Sequence, residues 1–100
     1  MKNDVSIVDL AGALTLPLVS ELFAINDNLN ELKDLFHQLN LLCEKNRHVL
    51  AFDIIYDLIR KAKLEVPYLF YEMITTSQDK HNFVKEFLTD LNEILDELYE

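Results

Sequence analysis

The chain reads as an all-α protein, a compact helical bundle of four to five helices. Three observations predict this. It holds one Gly and two Pro in 100 residues, too few turn formers for a sheet protein. Half of its residues are apolar and nineteen are Leu, set among Glu and Lys, which favour helix. Apolar residues then recur at alternating spacings of four and three: Leu18, Leu22, Ile25, Leu29, Leu32, Phe36, Leu39 and Cys43. That is a heptad seam, and it places eight side chains on one stripe of one helix. The length suits one domain, and no repeat or low-complexity linker divides residues 1–100.

Taken in order, Asn3 and Asp4 are expected to cap a short helix running to about Ala11. Gly12 is its natural stop, since Gly adopts a left-handed conformation at no steric cost. Thr15 can cap the next helix, with Pro17 in its first turn. The seam predicts that this helix is long, about 16–45. Within it, Asn26-Asp27-Asn28 are poor helix formers, and Asn28 with Glu31 has capping-box spacing, so a break there is the alternative. The unbroken phase of the seam favours one continuous helix, bent at those residues and spanning roughly 40 Å.

Asn46 is the candidate C-terminal cap of the long helix, and the short link after it favours an antiparallel neighbour. The next helix, about 47–63, carries Leu50, Ala51, Ile54, Ile55, Leu58, Ile59 and Ala62 at helical spacing, with Phe52 and Tyr56 on an adjoining face. Apolar over most of its girth, it is expected to be central. A short helix follows at about 67–75. Thr76 and Asp79 have capping-box spacing for a long C-terminal helix, about 78–99. That last helix repeats the seam in Val84, Leu88, Leu91, Leu95 and Leu98.

Eighteen acids against nine bases give a net charge of −9, which argues against direct nucleic-acid binding and against an anionic membrane surface. The apolar N-terminal stretch resembles a targeting segment in composition alone. Asp9 lies inside it and Glu21 follows, and a charge at the centre of a spanning helix costs about 2.5–3.5 kcal/mol. No membrane association is therefore expected. A single cysteine cannot form an internal disulfide, so a reducing, cytoplasmic setting is expected.

No catalytic constellation is visible. One Gly excludes a Gly-rich phosphate loop. His37, His48, His81 and Cys43 show no metal-ligand spacing, so neither metal nor cofactor is expected. Asp53, Asp57, Arg60 and Lys61 read as an ion-pair ladder on one helix.

Two surfaces stand out. Glu86, Asp90, Glu93 and Glu97, continued by Glu100, form a second 4, 3, 4 ladder, each member two residues after a seam position. Two residues are about 200° around a helix, so the acids should line an exposed face opposite the core. No Lys or Arg occurs after Lys85. Tyr68, Tyr71 and Met73 form an aromatic and sulfur-bearing group of a kind favoured at interface centres. These residues imply a small acidic protein, monomer or homodimer, that binds another protein presenting a basic surface. An inhibitor, an immunity or antitoxin-type protein, or an adaptor would fit. The alternatives are a structural homo-oligomer built on a heptad seam and an acidic nucleic-acid mimic occupying a basic cleft.

Overall fold

The computed structural model describes residues 6–26, 28–66 and 68–99, apart from the side chains of Leu29, Tyr68, Leu69, Leu98 and Tyr99. Among the described residues there are five α-helices and no strand. The first, α1, spans Ile7–Ile25. Ser6 starts it with a reciprocal cap. The Asp9 amide donates to the Ser6 hydroxyl at 3.1 Å, and the Ser6 amide donates to the Asp9 carboxylate at 3.2 Å. The caps expected at Asn3 and Asp4 lie outside the described residues.

The stop expected at Gly12 is corrected, because α1 continues through it without a positive φ. Leu10, Ala11, Leu14, Leu18, Val19 and Leu22 are all buried along this helix. Their burial outweighs the roughly 1 kcal/mol that a mid-helix Gly costs. Thr15 caps nothing. It is buried, and its hydroxyl donates to the Ala11 carbonyl at 2.6 Å. Pro17 lies inside α1, where it removes the amide that would donate to the Ala13 carbonyl.

The single helix expected over 16–45 is also corrected. It breaks after Ile25, and α2 spans Leu29–Glu44. The Asn28 amide donates to the Asn26 side chain at 3.1 Å, and the Asn30 and Glu31 amides donate to the Asn28 side chain at 3.0 and 3.3 Å. Asn side chains of this kind satisfy amides that a continuous helix would bond internally. The seam nevertheless keeps its phase. Leu18 and Leu22 on α1, and Leu32, Phe36 and Leu39 on α2, all face the core, while Ile25 at the break is 59% exposed.

The turn after α2 forms as its sequence predicts. Asn46 has φ 61°, its amide donates to Cys43 O at 3.0 Å, and the Arg47 amide donates to Leu42 O at 2.8 Å. That pair of bonds is a Schellman motif. Helix α3 (His48–Lys61) ends on the same motif, with Lys63 at φ 57° in the left-handed position. Its buried side is Ala51, Phe52, Ile55, Leu58 and Ile59; Leu50, expected inward, is exposed. After α4 (Tyr68–Met73), the Asp79 amide donates to the Thr76 hydroxyl at 3.0 Å and the Thr76 amide donates to the Asp79 carboxylate at 3.2 Å. This capping box opens α5 (Ser77–Tyr99).

Helix α5 is the hub. α1, α3 and α2 all pack on it, α1 most extensively. Phe83, Val84, Phe87, Leu88 and Leu91 are buried where these helices meet. Phe83 also meets Phe52 and Phe70 edge-on at 5.6 Å, which ties α3 and α4 to the hub. Asn40 of α2 and Asn92 of α5 exchange side-chain hydrogen bonds at 3.2 and 3.1 Å. The radius of gyration is 13.3 Å, as expected of a compact chain of this length.

Candidate functional site

The acidic ladder of α5 is built as its spacing requires, but the fold divides it. Glu93 and Glu97 are exposed, whereas Glu86 and Asp90 are half-buried. The fully exposed stripe expected from sequence is thus corrected at its first two members. The cause is α1. Gly12 lies beside Asp90, where a β-carbon would make ordinary van der Waals contact with Oδ2 at 3.5 Å. Ser6, Ile7 and Val8 share a groove of about 320 Å³ with Asn82, Lys85, Glu86 and Thr89 of α5.

This crowding shows in the electrostatics. The Glu86 carboxyl is held above the usual carboxylate range, first by burial, then by the Asp90 charge and a hydrogen bond with that carboxyl, and finally by Glu93. Glu93 and Glu97 belong to no ion pair among the described residues, where Lys61–Asp57 at 3.4 Å realises part of the ladder expected on α3.

The aromatic group is divided as well. Tyr71 is 57% exposed, and the Tyr56 hydroxyl donates to its hydroxyl at 3.2 Å. Met73 is half-buried against the core. The Tyr68 side chain lies outside the described residues. The ring contacts of Tyr71 are with Tyr56 and Phe70, so it stands over α3 and α4, not among the acids of α5.

Sequence reasoning missed two features. His48 is buried and its ring lies 3.8 Å from that of His81, at the edge of an open hollow of about 700 Å³ that Arg47, Asp53 and Gln78 also line. Local spacing gives no sign of a pair that α3 and α5 bring together. The second is the outer face of α1. Val8 is 51% exposed and Leu16 58%, with Gly12, Ala13, Pro17, Ser20 and Ala24 exposed around them. A signal for it was present, because Asp9 and Glu21 are the only charged residues of α1, too few to make a charged face. α1 is also long and apolar enough to cross a membrane by length and composition, although seven of its residues are buried inside the bundle. Cys43 is a half-buried filler whose thiol burial pushes up. No three His, Cys, Asp or Glu residues converge on a metal-sized site among the described residues.

The fold is a compact all-α bundle, with five helices among the described residues, in which a helix face poor in charge lies beside Glu86 and Asp90. No family model, curated protein or solved structure matches the chain.

Proposed function

We propose that this protein acts by binding another protein that presents a basic surface, as an inhibitor, an immunity or antitoxin-type protein, or an adaptor, without catalysing a reaction. One observation carries this reading. The outer half of α5 projects Glu93 and Glu97 one turn apart into solvent, on a stretch with no Lys or Arg. Like charges at that spacing cost a few tenths of a kcal/mol in an isolated helix, so an all-acid stripe is slightly unfavourable for folding alone. A partner carrying Lys or Arg offsets that repulsion.

The heptad seam is not free for assembly between chains, because Leu18, Leu22, Leu32, Phe36 and Leu39 are buried within this one. A homo-oligomer would need another surface.

The test uses Glu93→Gln with Glu97→Gln, which leaves the Glu86–Asp90 pair intact. A partner is captured from the native host, and its association rate is measured at low and high salt. Rim charges act chiefly on association rate and its salt dependence. The double variant should associate several-fold more slowly at low salt, with the difference fading as the Debye length shrinks from about 10 Å at 0.1 M to about 3 Å at 1 M. Equal rates at both salts would reduce the stripe to a solvated face.

A further inference from the structure

We infer that the outer face of α1 is the apolar centre of a docking surface, and that its occupant is an amphipathic helix bearing Lys or Arg along one flank. This rests on the reading of the α5 acids as a partner contact, and adds the chemistry of the segment that meets them.

A helix with so few charged residues is normally buried over most of its girth. α1 is not: away from its buried side Val8 and Leu16 are each more than half exposed, with Gly12, Ala13, Ser20 and Ala24 exposed around them. Both lie on one row of the helix, so they belong to a single patch. The exposed row Val8, Gly12, Leu16, Ser20 and Ala24 has a strict spacing of four. Rows at that spacing are the ridges that interlock between crossing helices, and small residues along them let a second backbone come close. α1 is about 28 Å long, which suits a partner helix of about five turns.

Charge selects among occupants. Val8 shares a groove with Glu86 and Lys85, and Gly12 lies beside Asp90, so the edge of the row towards α5 carries two carboxylates against one ammonium. Asp9 and Glu21 add acid on the other exposed row of α1, and no base stands on this helix. A second copy of the chain would bring its own acids against these, and an anionic bilayer would be repelled. A helix with an apolar stripe and a basic flank is attracted at both the centre and the rim, the usual anatomy of a helix held on a protein surface.

The experiment titrates the full chain with three synthetic helical peptides by fluorescence anisotropy. One has a Leu/Ala stripe flanked by Lys. The second keeps the stripe and replaces Lys with Glu. The third keeps Lys and replaces the Leu with Ser. The first should bind at least about tenfold more tightly than either control, and Leu16→Glu should weaken it by about tenfold or more. Leu16 is exposed, so this variant keeps the fold, which circular dichroism checks. If the Ser peptide binds as well as the first, the α1 face is not used, while the acidic reading of α5 survives. If the Glu peptide binds as well as the first, both readings fall. Absence of binding by all three overturns the inference. So does self-association that Leu16→Glu abolishes, or retention on phosphatidylcholine vesicles lost in the same variant.

Discussion

His48 opens α3 with 8% of its surface exposed, its ring tilted 39° over that of His81. Burial, then the neighbouring His81, then the Lys85 ammonium oppose a positive charge there and hold its pKa below the ordinary value of about 6.5. A histidine with a depressed folded pKa contributes stability that is fully present above its unfolded value. That stability is lost as pH falls from about 6.5 towards the folded value. The midpoint of thermal unfolding should therefore drop as pH is lowered from about 7 to below 6, and drop less in His48→Asn. An NMR titration placing the His48 midpoint at or above 6.5 would contradict this. Glu86 acts in the opposite sense. Its raised folded pKa makes stability fall as pH rises from the unfolded carboxyl value through the folded one, so Glu86→Gln should remove that slope and leave the histidine slope intact. Lys63 makes a simpler case. It sits at φ 57° in the position where Gly usually ends a helix. Lys63→Gly should stabilise the protein by about 1 kcal/mol in urea unfolding, because it removes the steric cost of a side chain in the left-handed region.

At the level of the helices, the decisive feature is the turn between α1 and α2. Asn28 satisfies the amides of Asn30 and Glu31, and its own amide is satisfied by Asn26. Asn28→Ala should cost about 1 kcal/mol, the usual worth of an N-cap, again read by urea unfolding. A change within a few tenths of a kcal/mol would mean that the Asn26 bond and the core hold the turn by themselves. The division of the acidic ladder belongs to the same scale. Four acids at alternating spacings of four and three along α5 fall into two environments because α1 crosses the first two, with Gly12 beside Asp90.

At the level of the molecule, stability rests on how α1, α2 and α3 enclose α5. Phe36 on α2 and Leu91 on α5 are both buried in one core. Phe36→Ala should cost about 3–5 kcal/mol and Leu91→Ala about 2–5 kcal/mol. Such losses are a large fraction of the 5–15 kcal/mol that holds a typical domain folded. Either variant should shift the unfolding midpoint sharply, and losses below about 1 kcal/mol at both sites would show that the seams are not the core.

By itself, the sequence determined what depends on neighbours within a turn or two. The scarcity of Gly and Pro set the all-α class, and Asn46 and the Thr76–Asp79 pair set two helix boundaries by hydrogen bonds made three to five residues away. Heptad spacing picked out Leu32, Phe36, Leu39 and Leu91 as buried, because a helix displays every third and fourth residue on one side whatever surrounds it. The same reasoning erred at Gly12 and across Asn26–Asn28, where local preferences were balanced and burial or side-chain capping tipped them. The candidate surface was legible only as a list of acids. That Glu86 and Asp90 are half-covered, that the outer face of α1 is left bare beside them, and that His48 meets His81 were decided by the tertiary structure. These features arise where helices distant in sequence come together, as Asn40 and Asn92 do across 52 residues, and nothing in the local chemistry of either helix says which side the other will cover.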